Sequence, residues 1–177
     1  YQLVGNYQPD FTFGWNNTVI YKDFDLAVTI DGQCGGNVIY AAARAFSLNR
    51  YDDNVLAESG LGRWKSSTDT GNGMSHKAGT NNLGSNIGPS TRYLYDADFL
   101  RIRNVSLGYT LPKKLCKIIG IENMRISANV QNLWTFDKYP GYSVEANYEG
   151  NSATNNGVDF GGYPISRTFT FGLNFNF

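Results

Sequence analysis

The chain has no run of about eighteen consecutive apolar residues, so no helix of its own can span a bilayer. That absence leaves strands open. A membrane-spanning strand places apolar side chains at every second position, and average hydropathy stays low. Cysteine is scarce: Cys34 and Cys116 cannot make a disulfide framework, and the spacing reads as two unpaired thiols. The single histidine, His76, sits in a Gly/Ser-rich stretch without the Cys or His partners that a metal centre needs. No charge excess exists either, since fifteen basic residues balance fifteen acidic ones. Nucleic acid as the main partner is thereby excluded, because a phosphate backbone requires a cationic surface. Catalytic patterns are missing too. There is no Gly-x-Ser-x-Gly elbow. Gly71-Asn72-Gly73 is too short to cradle a phosphate. The acids Asp52-Asp53 are adjacent and cannot face each other across a substrate. The expectation is a non-enzyme with no cofactor and no metal. Tyr1-Gln2-Leu3-Val4 carries no initiator Met and no signal pattern, so a processed chain or a piece of a longer one is expected.

Aromatics are abundant: twelve Tyr, eleven Phe and three Trp, beside twenty Gly. This mixture suits strands joined by polar, Gly/Asn-rich loops. Five segments alternate as strands with one apolar and one polar face do. They lie at about 11–21, 24–32, 98–111, 124–134 and 166–177. In the first, Phe11, Phe13, Trp15, Val19 and Tyr21 share a face, interrupted by Asn17. In the second, Phe24, Leu26, Val28 and Ile30 alternate with Asp25, Ala27 and Thr29. In the third, Val105, Leu107, Tyr109 and Leu111 alternate cleanly, but Leu100 and Ile102 fall out of phase. A β-bulge near Asn104 explains the slip, and so does a strand end leaving the lipid zone. The fourth alternates Met124, Ile126, Ala128, Val130 and Trp134 with polar residues. The fifth alternates Phe169, Phe171, Leu173, Phe175 and Phe177 with Thr170, Gly172, Asn174 and Asn176. Aromatics at strand ends suit the headgroup girdles of a barrel.

The connections alternate between short and long. Lys22-Asp23 is a tight hairpin. A long loop follows at about 33–97, then a short turn from Pro112 to Asn123, then a second long loop at about 135–165. Outer-membrane barrels show the same asymmetry, with short periplasmic turns and long extracellular loops. The directions that follow put Phe177 at the periplasmic face. Within the loops, Val38–Leu48 reads as a helix with Ile39, Ala42, Ala43 and Phe46 on one stripe. Leu115, Ile118 and Ile119 read as one helical turn closed by Gly120. The fold class is therefore all-β: about five antiparallel strands of a large transmembrane barrel. The alternative is a soluble, aromatic-rich, carbohydrate-binding β-domain, which would bury Phe169, Phe171, Leu173 and Phe175 under a second sheet.

The stretch from Asp98 to Pro112, DFLRIRNVSLGYTLP, makes the sequence familiar. It resembles the C-terminal barrel region of the SusC/RagA family of TonB-linked outer-membrane proteins of Bacteroidetes. Further matches follow in order: Met124 to Leu133, Pro140-Gly141-Tyr142, Gly162-Tyr163-Pro164 and Arg167 to Phe175. Upstream, Pro9 to Gly14 and Asp31 to Gly36 look like that family as well. One departure stands out: Ser143-Val144 follow Gly141-Tyr142, where the family often has Asp-Pro.

The resemblance implies a plugged barrel of about 22 strands in the cell outer membrane. It implies import of glycans or peptides, energised through TonB, under a SusD-like surface lipoprotein. The expected partners are the remainder of the barrel and plug, that lipoprotein, the TonB complex, outer-membrane lipid and an oligosaccharide or peptide. Candidate substrate contacts are Trp64, Tyr142, Tyr148 and Tyr163 in the loops, whose rings suit sugars or peptide side chains. Arg101 and Arg103 are candidates near the lumen mouth, with Asp96 or Asp98 as alternative ion-pair partners. Phe169, Phe171, Leu173, Phe175 and Phe177 resemble a C-terminal barrel-assembly signal. Cys34, at an outer strand end, and Cys116, in a periplasmic turn, are expected to lie too far apart to bond.

Overall fold

The computed structural model describes residues 2–47, 54–78, 90–118, 120–145, 147 and 156–177. The strands are β1 (Phe11–Tyr21), β2 (Phe24–Cys34), β3 (Asn37–Tyr40), β4 (Leu94–Asp96), β5 (Phe99–Thr110), β6 (Asn123–Asp137), β7 (Val158–Asp159) and β8 (Thr168–Asn176). The short helices are α1 (Ala41–Phe46), α2 (Ala57–Leu61) and α3 (Lys113–Ile118). The chain divides into two compact units. One comprises residues 9–36, 97–138 and 164–177; the other comprises residues 1–8, 37–96 and 139–163.

The first unit is a single antiparallel sheet in the order β1-β2-β5-β6-β8. Its register sorts side chains into two faces, because residues paired across strands point the same way. Trp15 pairs with Ile30, Val19 with Leu26 and Tyr21 with Phe24. Ile30 then pairs with Ile102, Val28 with Val105 and Leu26 with Leu107. Val105 pairs with Val130, and Val130 with Phe169. One apolar face therefore runs unbroken across all five strands. Phe13 pairs with Gly32, and its ring occupies the space a Gly32 side chain would take.

The phase slip in β5 is a bulge. Consecutive residues Thr29 and Ile30 of β2 pair with Asn104 and Ile102, so Arg103 is the extra residue. The bulge puts Arg103 and Asn104 together on the polar side and restores Leu100, Ile102 and Val105 to one face. The partner strand absorbs the offset: Ile102 pairs with Trp134 and Asn104 with Gln131, leaving Asn132 and Leu133 between. Asn132 takes a left-handed φ of 52° to do so.

Neither hairpin end is irregular. Lys22 adopts φ 54° in the two-residue turn between β1 and β2. Between β5 and β6, α3 closes in a Schellman pair: Gly120 N–H donates to Lys117 O and Ile121 N–H donates to Cys116 O. Gly120 has the left-handed φ of 76° that this motif needs. Cys116 is fully buried there, and both thiols are free.

The second unit corrects two expectations. Residues 33–97 and 135–165 were expected to be irregular apart from one helix. They carry a mixed three-stranded sheet, β4-β3-β7, with β3 antiparallel to β4 and parallel to β7. The helix expected over Val38–Leu48 starts only at Ala41; Leu48 lies outside the described residues. Val38, Ile39 and Tyr40 are strand because β-branched and aromatic side chains gain more from sheet pairing than from the helical stripe. Val38, Ala42 and Ala43 form the small core of this unit with Tyr93, whose hydroxyl hydrogen-bonds Ser47 Oγ at 2.6 Å.

The apolar face of the five-stranded sheet is not a core. Phe171 is 80% exposed and Leu173 is 64% exposed. A sandwich would cover that face, so the soluble alternative loses its basis. Phe171→Arg should cost about 2–4 kcal/mol of folding free energy in bilayers. Asn174→Arg, on the opposite face, should cost under about 1 kcal/mol. Urea titration of the full-length protein refolded into vesicles measures both; equal costs would contradict the two-faced assignment.

Candidate functional site

The opposite face of the sheet is polar, and its charges are organised. Asp25 and Asp31 project from β2, Arg101 and Arg103 from β5, and Arg125 from β6. Asp31 accepts two forked pairs. Arg101 donates at 3.3 and 2.7 Å, and Arg103 at 3.0 and 2.7 Å. Arg101 is 3% exposed and lies over the Phe99 ring, whereas Arg103 is about half-exposed. Both arginines were read as lining the lumen near its outer mouth or, equally, as pairing with loop acids such as Asp96 or Asp98. They share the Asp31 carboxylate, brought beside them by the β2–β5 register and the bulge.

A second bridge crosses two strand spacings. Arg125 of β6 donates to Asp25 of β2, one contact being 2.8 Å, over the intervening β5. Gly108 is the residue beneath. A side chain there would meet both the Arg125 guanidinium and the Asp25 carboxylate. Asn129 Nδ2 donates to Asn104 Oδ1 at 2.8 Å between the two charged clusters. This face suits a hydrated lumen, because forked, charge-assisted bonds hold long side chains flat against the wall.

In the second unit, the best-satisfied polar group is Asp159, which is 1% exposed. Tyr139 O–H donates to its Oδ2 at 2.6 Å, and the N–H groups of Gly161 and Gly162 donate to Oδ1 at 2.9 and 3.0 Å. The rings of Tyr40 and Tyr95 pack on Tyr139 with centroids at 5.4 and 5.8 Å. Burial raises the Tyr139 pKa first, then the hydrogen bond to Asp159 and that carboxylate's charge. The same unit holds a cavity of about 500 Å³ lined by Trp64, His76, Lys77, Arg92 and Tyr93, with hydroxyls of Thr70, Ser75 and Ser90.

The expected substrate contacts scatter. Trp64 lines that cavity, with Lys77 Nζ 5.5 Å from its ring centroid. Tyr142 and Tyr163 are 72% and 95% exposed. Tyr148 lies outside the described residues. Phe169, Phe171, Leu173 and Phe175 sit on the apolar face in β8, and Phe177 follows it. Asp25, Arg125, Gly108 and the Tyr139–Asp159 pair were not picked out from sequence. The two aspartates did carry a signal, since both interrupt an otherwise neutral polar register in β2.

Continuous apolar banding on one face and paired charges on the other define a segment of a large transmembrane β-barrel. Comparison with known proteins specifies it further. The chain is 35% identical over 99% of its length to TonB-dependent receptor P3 of Formosa agariphila, spanning 17% of that protein. It is 26% identical over 95% of its length to TonB-dependent receptor SusC of Bacteroides thetaiotaomicron, spanning 15% of it. The structure of the RagAB peptide importer in an open-open state matches 97% of the chain with TM-score 0.67 and 21% identity, spanning 17% of that chain. The closed-closed state of the same importer gives TM-score 0.68 and 22% identity over 97% of the chain and 18% of the matched one. No protein-family model matches. Over almost its whole length the chain is thus similar to a barrel segment of TonB-dependent receptors, SusC among them, and it spans less than a fifth of the length of these relatives.

Three outcomes follow from the charge geometry. Asp31→Asn removes the charge that Arg101 and Arg103 share and should cost about 3 kcal/mol, read as a lower urea midpoint for the full-length protein in micelles. A Tyr pKa raised by folding contributes stability that is complete below the ordinary value of 10.0 and is lost as pH rises above it. The loops should therefore lose protease protection above about pH 10. Tyr139→Phe should lose about 1–3 kcal/mol at neutral pH by stranding the Asp159 acceptor, and its residual protection should fall less steeply with pH.

Proposed function

We propose that the chain is the part of an outer-membrane, TonB-dependent importer that supplies five adjacent barrel strands and two substrate-facing loops. The observation that carries this reading is the two-faced sheet: lipid-suited on one side, charged and hydrogen-bonded on the other. In this reading β1, β5 and β8 run toward the periplasm, β2 and β6 away from it. The hairpin at Lys22-Asp23 and the α3 turn are periplasmic. Residues 33–97 and 135–165 are extracellular, where a SusD-like lipoprotein covers them. Trp64, Tyr142, Tyr148 and Tyr163 meet the arriving oligosaccharide or peptide, and Arg101 and Arg103 line the path below. Phe169 to Phe177 engage the assembly machinery. The plug and the TonB-contacting segment belong to the remainder of a receptor several times longer.

Topology and activity are tested together in the full-length receptor. An epitope inserted between Asn81 and Asn82 should be reached by antibody on intact cells. One inserted after Lys114 should be reached only once the outer membrane is permeabilised. Cells lacking the receptor should lose uptake of one class of oligosaccharide or peptide, and cells lacking TonB should lose the same uptake. A surface-accessible Lys114 epitope inverts the topology, and uptake that survives loss of TonB removes the energised mechanism.

A further inference from the structure

The sheet neutralises its arginines in place, but the loop cavity does not neutralise its cations. Lys77 and Arg92 line it together with His76, and among the described residues no acidic side chain does. Among the described residues neither Lys77 nor Arg92 has a carboxylate partner; each lies instead near an aromatic ring, Trp64 and Tyr93 respectively. The nearest acid upstream, Asp69, is occupied by Lys65 at 2.9 Å. That contact comes first among the causes that hold the Asp69 carboxyl below its usual range, ahead of the backbone N–H of Gly71. Sequence extends the point, since from Thr70 through Tyr95 there is no Asp or Glu at all. Local positive charge is thus a property of the whole segment around the cavity.

The wall chemistry narrows the ligand. The Trp64 ring offers a flat apolar surface, Thr70, Ser75 and Ser90 offer hydroxyls, and Lys77 and Arg92 offer cationic donors. Aromatic planes with dispersed hydroxyl partners suit pyranose rings, and cationic donors suit carboxylate or sulfate substituents. A volume of about 500 Å³ falls in the range of pockets that enclose small ligands and has room for about two sugar units. We infer that this cavity is a binding subsite for an anionic oligosaccharide, carboxylated or sulfated, with Lys77 and Arg92 setting the charge preference. The inference deepens the importer reading and rests on it.

The test uses the full-length receptor in detergent and in cells. Binding of tetragalacturonate, a sulfated carrageenan tetrasaccharide, neutral cellotetraose and tetraglutamate is measured by calorimetry at low and moderate salt. At least one anionic saccharide should bind about tenfold tighter than cellotetraose, with affinity falling as salt rises. Lys77→Gln with Arg92→Gln should abolish that preference, and Lys77→Arg with Arg92→Lys should keep most of it. An unchanged urea midpoint shows that the neutralised variant still folds; if it does not, Trp64→Phe and each single substitution carry the test. Equal binding of cellotetraose overturns the inference, as does tighter binding of tetraglutamate or an anion preference that survives neutralisation. TonB-dependent uptake of a neutral sugar or a peptide, unaffected by the two substitutions, would sink this inference alone. Absence of any TonB-dependent uptake would sink the importer reading instead.

Discussion

A backbone amide or carbonyl in hydrocarbon has no water to bond, so every strand that crosses lipid must be hydrogen-bonded along both edges. The rest of this structure depends on that constraint. Inside the sheet it is met apart from the bulge at Arg103 and its offset in β6: β2, β5 and β6 each have a neighbour on both sides. At β1 and β8 it is met on one side only within these residues. Five strands with lipid-suited faces therefore call for further strands at both edges. The chain spans only 15–18% of the receptors it resembles, so the remaining length is of the right order to supply them.

Pairing in strict register would by itself spoil the second requirement, that apolar side chains all face the same way. A one-residue slip moves a strand's whole side-chain set to the other face. In β5 the sequence contains such a slip, and the bulge at Arg103 cancels it. The same device concentrates charge, because it leaves Arg103 on the polar side just past Arg101, within reach of one Asp31. Lipid compatibility and the arrangement of the polar wall are thus two results of a single inserted residue. Gly108 plays a comparable part lower in the sheet, where the missing side chain lets Arg125 reach Asp25 across β5.

The sheet was legible because period-two alternation is local: Phe169, Phe171, Leu173 and Phe175 announce their face without reference to any other strand. The location of the bulge was legible for the same reason, as a break in that period. Which of two explanations applied was not, since only the pairing of Thr29 with Asn104 and Ile30 with Ile102 decides it. Ion pairs were harder. Arg101 and Asp31 stand far apart in the chain, and proximity in sequence pointed to Asp96 and Asp98 instead. The small sheet escaped for a different reason. β3 is four residues long and β7 only two, too short for periodicity to show, and the apolar stripe of the helix Ala41–Phe46 continues back through Val38 and Ile39, so β3 reads as its first turn.

The two units also handle charge differently, and the difference follows from their surroundings. A barrel wall must present fixed side chains to a passing solute, and a guanidinium locked to a carboxylate by two bonds is fixed. Asp31 and Asp25 do this for three arginines among them. The second unit has the opposite arrangement. Lys77 and Arg92 are held near aromatic rings, and among the described residues neither has a carboxylate partner, so both keep their attraction for anions. Asp159 marks the boundary of that logic within the loops. Its charge is enclosed by one phenol and two backbone N–H groups, so it orders the chain around Gly161 and Gly162 and offers nothing to a ligand.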